Sequence, residues 1–260
     1  MLLPRITVVT PSYNQRHFIE QTILSVLAQE YPNLEYIIMD GGSTDGTVDV
    51  LRHYSDRLQW ISEADRGQSH AINKGFALAT GDIVTFINSD DLYEPGAFHT
   101  VARFFQECAT AKWVAGKCRI IDQQGQEVMR WVTGYKNVLL RFGSYRLLLI
   151  VNYLAQPAVF MKREVLQEVG LVDESLVYTM DYDYWLRLYQ QYPIQPLNTY
   201  LAQFRTHPTS KTRQSALLNL AEEEILIRRY SNSPWIRTLH QLHRTLNTST
   251  YRVMTKRKQF

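Results

Sequence analysis

The first 91 residues alternate short apolar runs with segments whose apolar residues recur every three or four positions. Short apolar runs bounded by polar residues predict buried strands, and the three- to four-residue period predicts helices. Strands are predicted at Arg5–Thr10, Leu34–Met39, Leu58–Ser62 and from Ile83, and helices at Arg16–Gln29, Thr47–Tyr54 and Ser69–Ala79. This alternation predicts an α/β fold with a mostly parallel, doubly wound sheet and helices on both faces.

The pattern changes after Asp91, where strands and helices no longer alternate regularly. Two apolar runs flank the turn Asp122–Gly125 as the strands of a hairpin would. Residues 135–153 carry no clear period and are expected to form a short helix and a mobile loop. The other predicted elements are helices at Pro95–Gln106, Arg163–Val169, Ser215–Tyr230 and Pro234–Leu246, strands at Lys112–Ile121, Gln126–Val132, Gln156–Met161 and Leu197–Arg205, and a helix N-capped by Asp181. We therefore expect one domain over residues 1–212, with halves at 1–91 and 92–212, and a helical segment over 213–260.

Three polar loops follow predicted strands: Pro11–Asn14, Asp40–Thr47 and Asn88–Asp91. The carboxyl ends of parallel strands share one edge of a sheet, and α/β proteins bind their ligands there. The neighbouring carboxylates Asp90 and Asp91 repel each other, so the third loop either holds a divalent cation beside a phosphate-bearing ligand or is a solvated turn. Neither Gly-x-Gly-x-x-Gly nor a P-loop follows the first strand, which argues against an NAD enzyme and a P-loop phosphotransferase.

Charge is distributed unevenly along the chain. Residues 225–260 carry eight of the 28 Lys and Arg and none of the 25 Asp and Glu, which leaves 20 basic and 25 acidic residues, a net charge of −5, in 1–224. An acidic body without a recognised module argues against nucleic-acid binding. A signal peptide and a spanning apolar run are both missing, so the expected location is the cytoplasm. Cys108 and Cys118 match no metal or redox spacing.

Five motifs together make the chain resemble the inverting nucleotide-sugar glycosyltransferases of family 2, which have the GT-A fold. The motifs are Ile6–Asn14, Asp40–Thr47, the segment from Gly67 through Asn73 to Asp82, Asn88–Asp91 and Asp181–Arg187. The enzymes that it resembles most make bacterial surface polysaccharides such as O-antigen. The resemblance implies transfer of a sugar from a nucleotide-sugar donor, in the first place a UDP-sugar, to an acceptor hydroxyl. The alternative is a non-catalytic nucleotide-sugar-binding or scaffolding subunit with the same fold.

The resemblance also implies a set of residues for the nucleotide sugar. They are Thr10, Pro11, Tyr13, Asp40, Arg66, Gly67, Asn73 and Ser89. Tyr13 is expected to lie against the base, because an aromatic face provides stacking. Asp40 is expected to accept a hydrogen bond from a base N–H, and Arg66 to pair with the diphosphate. In the simpler interpretation Tyr13 and Asp40 are turn residues and Arg66 is an exposed surface residue.

Mg²⁺ or Mn²⁺ is the implied cofactor, with Asp90 and His207 as its ligands. Asn88 replaces the first Asp of the family's usual Asp-x-Asp, a departure that is expected to weaken metal affinity without removing it. Asp91 is expected to reach the metal through water or to fix the end of the strand. His207 is otherwise an ordinary surface or core histidine.

Asp181 is the implied catalytic base. An acceptor hydroxyl loses a proton as it attacks the anomeric carbon, and a positioned carboxylate can take that proton. A single displacement of this kind inverts the anomeric centre. Met180 stands where the family often has Glu, and Asp183 is expected to orient Asp181 or to bind the acceptor. The alternative is that both carboxylates only stabilise the start of a helix.

The C-terminal segment has the pattern of a basic amphipathic helix. Its apolar positions are Ile236, Leu239, Leu242 and Leu246, and its basic positions are Arg237, His240, His243, Arg244 and Lys256-Arg257-Lys258. Such a helix can lie on an anionic membrane, which suits a lipid-linked glycan acceptor and a peripheral position on the inner face of the cytoplasmic membrane. The alternatives are packing on the catalytic body and self-association.

Overall fold

The computed structural model describes residues 3–211 and 215–257, and for 216–217 and 246–257 it describes the backbone alone. The strands are β1 (Ile6–Ser12), β2 (Leu34–Asp40), β3 (Gln59–Ser62), β4 (Ile83–Phe86), β5 (Leu92–Tyr93), β6 (Trp113–Ile121), β7 (Val159–Lys162) and β8 (Gln195–Arg205). The helices are α1 (Ile19–Leu27), α2 (Thr47–Arg52), α3 (Gln68–Leu78), α4 (Ala97–Glu107), α5 (Arg130–Phe142), α6 (Tyr145–Ile150), α7 (Val165–Glu168), α8 (Met180–Gln191), α9 (Ala216–Tyr230) and α10 (Pro234–Arg257).

The strands form one sheet in the order β3-β2-β1-β4-β7-β6-β8-β5. In the first half, β3, β2, β1 and β4 are all parallel, which confirms the predicted alternation of strands and helices. In the second half β6 and β8 are parallel, whereas β7 and β5 run antiparallel to their neighbours. The carboxyl ends of β1, β2 and β4 therefore share one edge of the sheet, and the three polar loops meet there.

Strand β1 continues through Pro11 to Ser12, although the sequence predicts that it ends at Thr10. Neighbouring β4 pairs with β1 only as far as Val9, so Pro11 is flanked by β2 alone, opposite Met39. A proline has no backbone N–H to donate, so it is tolerated in a strand where no paired neighbour lies on that side. The extra pair of residues carries β1 further toward the ligand edge.

The predicted strand Gln126–Val132 is wrong, because this stretch leads into helix α5 and only Glu127 forms a bridge, to Ile121. Strand β7 pairs only with Trp113–Ala115 of β6, so the far end of β6 is open on that side, and there the N–H of Val128 donates to the carbonyl of Ile120. The pairing ends after these residues because helix α5 begins at Arg130. Residues 135–153, which the sequence assigns to a short helix and a mobile loop, fall mostly in the two helices α5 and α6. Ser144, the N-cap of α6, accepts a hydrogen bond from the backbone N–H of Leu147.

Two apolar cores cover the two faces of the sheet. In one of them Trp185 of α8 stacks between Trp113 of β6 and Phe86 of β4, with ring centroids 6.1 and 6.4 Å away. Leu226 and Ile227 of α9 are buried in this same core. Helix α9, which the sequence places in a separate C-terminal segment, is therefore packed on the body of the protein.

Within the described ranges, none of the helices is both long and apolar enough to cross a membrane.

Candidate active site

A cavity of about 910 Å³ opens at the carboxyl edge of the sheet. One wall comes from the loops after β1, β2 and β4 and from the start of α3, and the other from α5, α8, α9 and the segment after β8. The predicted site residues that line it are Pro11, Tyr13, Gly67, Ser89, Asp90, Asp181 and His207. Chain segments almost 200 residues apart thus bring the predicted stacking residue, metal ligands and base to a single cavity.

Tyr13 follows β1 at the mouth of the cavity, and 61% of its surface is exposed. An aromatic ring that far out of the core is open to a planar ligand. Thr10, by contrast, is fully buried and does not line the cavity, and its Oγ1 lies 3.2 Å from the hydroxyl of Tyr36. The structure therefore brings Tyr13 to the cavity and places Thr10 behind it.

Asp40 ends β2 and is 2% exposed. Its Oδ2 accepts hydrogen bonds from the backbone N–H groups of Gly42 and Ser43 and from the hydroxyl of Ser62, and its Oδ1 accepts one from the hydroxyl of Ser43. These bonds fold the turn after β2 tightly. The neighbouring Gly41 lines the cavity and Asp40 itself does not, so its placement matches the turn interpretation more directly than contact with a base.

Arg66 and Asn73 connect α3 to the segment before α8. The Arg66 guanidinium is 2.7 Å from a carboxylate oxygen of Glu174, and 70% of its side chain is exposed. The Asn73 amide exchanges two hydrogen bonds with the backbone of Val172, at 2.9 and 3.0 Å, and donates a third to Glu174 at 3.1 Å. Neither side chain lines the cavity, whereas Gly67 between them does.

Asp90 and His207 form a pair at the base of the cavity, with 2.9 Å between a carboxylate oxygen and Nε2. His207 is 2% exposed, its Nδ1 lies 2.8 Å from the hydroxyl of Thr209, and its ring packs 4.5 Å from that of Phe18. These contacts fix the imidazole and leave Nε2 directed at the carboxylate. These two residues are 117 positions apart in the sequence, so only the fold makes them neighbours.

A carboxylate oxygen and an imidazole nitrogen side by side fit a divalent metal. Among the residues with described side chains, no group of three or more His, Cys, Asp or Glu could hold one. Mg²⁺ and Mn²⁺ commonly take one or two protein ligands and complete their shell with substrate phosphates and water. Asp90 and His207 would supply such a set.

Asp91 faces away from this pair and is fully buried. It accepts hydrogen bonds from the backbone N–H of Arg205 at 2.7 Å and from the amide of Asn88 at 3.3 Å. Burial and the nearby charge of Asp90 raise the pKa of Asp91 well above its ordinary value. Asn88 in turn accepts a bond from Gln68. An Asp in place of Asn88 could not donate to Asp91, which gives this departure from the family motif a physical reason.

Asp181 lies in the first turn of α8 and lines the cavity. The N-cap is Thr179, so the prediction that Asp181 caps the helix is wrong by two residues. Burial raises the pKa of Asp181 above its ordinary value, against the backbone N–H of Tyr182 and the positive charge of Lys136. Such a carboxylate binds a proton more tightly than one in water, as a general base requires.

Asp183 points to the opposite side of α8, as expected for two residues 200° apart on a helix. It is buried and accepts hydrogen bonds from Nε of Arg187 at 2.8 Å and from the hydroxyl of Tyr230 at 2.7 Å. These contacts tie α8 to α9, and Asp183 does not line the cavity.

Sequence reasoning missed several charged residues near the cavity. They include Lys136 of α5, Glu222 and Glu223 of α9, and Arg205 at the end of β8. The Glu222 carboxylate accepts hydrogen bonds from the backbone N–H groups of residues 177–179, at 2.6 to 2.8 Å, and holds the loop that precedes α8. Glu223 lines the cavity, and burial raises its pKa to about 7. Nothing in the run Glu222-Glu223-Glu224 distinguishes it from a solvated helix face.

Comparison with known proteins gives the family. The model of Glycosyl transferase family 2 matches residues 7–170, more than half of the chain. An uncharacterized glycosyltransferase of Nostoc sp. is 30% identical over 179 residues, which are 65% of this chain and 54% of the relative. A putative teichuronic acid biosynthesis glycosyltransferase, TuaG of Bacillus subtilis, is 39% identical over 112 residues, 42% of this chain and 44% of the relative. The chain thus spans about half the length of these two relatives.

Two solved structures share the fold. S. aureus TarS 1–349 in complex with UDP-GlcNAc superposes with a TM-score of 0.67 at 16% identity, over 88% of this chain and 67% of that one. The mannosyltransferase PcManGT from Pyrobaculum calidifontis, in complex with GDP-Man and Mn²⁺, gives 0.68 at 20% identity, over 95% and 70%. At these identities the likeness establishes the GT-A fold alone. Family and fold are as the motifs predicted: the chain has the GT-A fold and belongs to glycosyl transferase family 2.

Proposed function

We propose that this glycosyltransferase is metal-dependent and inverting, and that it moves a sugar from a UDP-sugar to an acceptor hydroxyl. The observation that carries the proposal is the shared cavity of Tyr13, the Asp90–His207 pair and Asp181. These groups are those that an inverting transfer requires: a platform for the base, a pair of metal ligands and a carboxylate for the acceptor proton.

The donor nucleotide lies along the loops after β1 and β2 in this proposal. Tyr13 stacks on the base, Pro11 and Gly41 line the pocket beneath it, and Asp40 holds the turn. Uracil is favoured because TarS was solved with UDP-GlcNAc, although PcManGT, with the same fold, was solved with GDP-Man. Among the described residues, the cavity-lining hydroxyl of Ser12 is a buried polar group without a hydrogen-bond partner, available to a ligand.

The diphosphate lies between the start of α3 and the Asp90–His207 pair. Gly67 and Gln68 bring the N-terminus of α3 to the cavity, and the backbone N–H groups of a helix N-terminus favour an anion. Arg66 and Asn73 contribute indirectly, by fixing α3. Asp90 and His207 would hold Mg²⁺ or Mn²⁺, and Ser89 would border the same site. When bound, the cation neutralises charge on the leaving diphosphate.

Asp181 takes the proton of the acceptor hydroxyl as the acceptor oxygen bonds to the anomeric carbon. The bond from that carbon to the diphosphate oxygen breaks on the opposite face, so UDP leaves and the configuration inverts. Lys136 keeps Asp181 ionised, because its positive charge opposes the effect of burial on the pKa of that carboxyl. Asp183 supports Asp181 only through the position of α8.

The acceptor in this proposal is a lipid-linked glycan of bacterial surface polysaccharide synthesis. TuaG, which is similar over 42% of this chain, is named for teichuronic acid biosynthesis, and this supports the polysaccharide class. A peripheral position on the cytoplasmic membrane follows from an acceptor of that kind.

A panel of sugar nucleotides tests the proposal, with hydrolysis and transfer measured in Mn²⁺, Mg²⁺ and EDTA. We expect UDP-sugar turnover that EDTA abolishes. Asp181→Asn should lower transfer by about a thousandfold, the size of general-base contributions, and leave the Kd for UDP within about twofold. Full transfer by Asp181→Asn rules out the assigned base, and equal turnover in EDTA rules out the metal.

A further inference from the structure

The outer surface of α5 carries large apolar side chains in water. Trp131, Tyr135, Val138 and Phe142 are 51%, 41%, 57% and 70% exposed. Their spacing of four, three and four residues places them on one face of the helix. Such a continuous stripe of exposed apolar side chains marks an interaction surface.

Helix α10 continues this surface. Its residues Trp235, Leu239 and Leu242 are 78%, 46% and 56% exposed and also share one helical face. The two helices meet where the ring of Tyr135 stacks on that of His243, with centroids 6.1 Å apart and planes 22° apart. We call the seven exposed side chains of α5 and α10 the apolar face.

The charge around the apolar face is mostly positive. Residues 128–163 contain no Asp or Glu, and neither do residues 225–260, whereas residues 1–224 as a whole carry a net charge of −5. The acidic residues just before these two ranges, Glu127 and Glu224, are already ion-paired, with Arg130 and with Arg228 and Arg244. Arg130, Arg141 and Arg146 are exposed on α5 and α6, and the Arg141 guanidinium lies 5.3 Å from the centre of the Phe142 ring. Exposed Trp and Tyr favour the membrane–water interface, and Arg beside them is attracted to anionic lipid headgroups.

A second copy of the chain fits this surface poorly. Self-association through the apolar face would bring Arg141 and Arg146 toward those of the other copy, and the nearest acidic residue before α5, Glu127, is already paired with Arg119 and Arg130. Like charges without partners destabilise an interface. Phosphate and carboxylate groups of a lipid surface would neutralise the same arginines.

We propose that the apolar face docks the enzyme on an anionic bilayer. Docking through this face would place the active site next to the membrane, because Thr133, Lys136 and Leu140 on the opposite side of α5 line the active-site cavity. The cavity is therefore about one helix diameter, roughly 10 Å, from the docked surface. A lipid-carried acceptor would reach Asp181 without leaving the membrane, a consequence that rests on the proposed function.

Vesicle co-sedimentation of the full chain tests the docking. Vesicles of phosphatidylcholine with phosphatidylglycerol should bind the protein, and phosphatidylcholine alone should bind it much more weakly. Trp131→Ser combined with Phe142→Ser should weaken binding about tenfold or more, as expected for losing two bilayer-inserted aromatic side chains. The matched control is Leu24→Ser combined with Leu78→Ser, which removes exposed apolar side chains from α1 and α3 and should leave binding unchanged.

A charge-reversal variant separates lipid binding from folding. Arg141→Glu combined with Arg146→Glu leaves the apolar side chains in place and should abolish the preference for phosphatidylglycerol. UDP affinity, measured on each variant, should stay at the wild-type value, so a failure of docking is distinguishable from a failure of the proposed function. The proposal is overturned if the wild type ignores anionic vesicles, if the Trp131 and Phe142 substitutions leave binding intact, or if they instead dissolve a dimer.

Discussion

Arg205 holds the predicted metal loop in place, and replacing it with Lys tests that role. The side chain is 1% exposed. Its guanidinium donates to the backbone carbonyls of Asp90 at 2.7 Å, Asp122 at 3.2 Å and Gln123 at 3.0 Å, and to the side-chain oxygen of Gln21 at 2.8 Å. Four acceptors on three different segments therefore converge on one fork-shaped donor.

A lysine at position 205 keeps the charge but reaches only one of these acceptors well. Gln21 and Gln123 are exposed, so water replaces a lost donor there at small cost. The carbonyls of Asp90 and Asp122 are less accessible, and an unsatisfied buried acceptor costs about 1–3 kcal/mol. We therefore expect Arg205→Lys to lower the free energy of unfolding by about 2–3 kcal/mol.

Urea denaturation measures this loss, and Arg66→Lys is the matched control. Arg66 makes one ion pair, with Glu174, and is 70% exposed, so its replacement should cost at most about 0.5 kcal/mol. Because Arg205 supports Asp90, the same variant should also raise the Mn²⁺ concentration for half-maximal turnover about tenfold. Equal stability losses in the two variants would refute the reasoning from burial, and an unchanged Mn²⁺ requirement would refute the link to the metal loop.

Three further variants test the electrostatics of the cavity. Lys136→Met should move the acidic limb of the pH–rate profile to higher pH, because the positive charge that keeps the pKa of Asp181 down is lost. Burial raises the pKa of Glu223 to about 7, so folding takes up a proton, and the free energy of unfolding falls as pH rises from about 4.3 to 7. The Tm of Glu223→Gln should therefore increase relative to that of wild type as pH rises through that range. Without metal, Asn88→Asp should lower the free energy of unfolding by about 1–2 kcal/mol, because it loses the hydrogen bond to Asp91 and adds a charge. Adding Mn²⁺ should raise the Tm of this variant more than it raises the Tm of wild type. The first expectation is contradicted if the acidic limb does not move in Lys136→Met. The second is contradicted if the Tm difference between Glu223→Gln and wild type does not depend on pH, and the third if Mn²⁺ raises the Tm of Asn88→Asp and wild type equally.

The sequence predicts the first half of the fold well because its elements are locally determined. Each strand there is a short apolar run, each connection has a helical period, and parallel pairing follows from the alternation. The second half depends on contacts that no local pattern records. The stretch Gln126–Val132 looks like a strand, yet only its first residues pair with the end of β6 before helix α5 begins at Arg130. Helix α5 escaped prediction because its large apolar residues face outward, so its pattern does not signal burial in a core.

The same distinction applies to individual residues. Asp90, Asp181 and Tyr13 belong to compact motifs, and the fold brings all three to one cavity. Asn73 and Arg66 belong to a motif as well, but their partners in the structure are Val172 and Glu174, about 100 positions along the chain. A motif can indicate that a polar residue matters without indicating whether it contacts a ligand or another segment.

Helix α9 shows where the functional unit ends. Glu222 fixes the loop before α8 through three backbone N–H groups, while the neighbouring Glu223 lines the cavity opposite Asp181. The matched family region, residues 7–170, contains Tyr13 and Asp90 but stops before all of these groups. In the proposed function, the nucleotide side of the cavity therefore lies within the part of the chain shared with the family model, except for His207. The wall that we assign to the acceptor combines α5, which lies within the matched region, with α8 and α9, which lie beyond it, so we expect differences in acceptor among relatives to lie in α8 and α9.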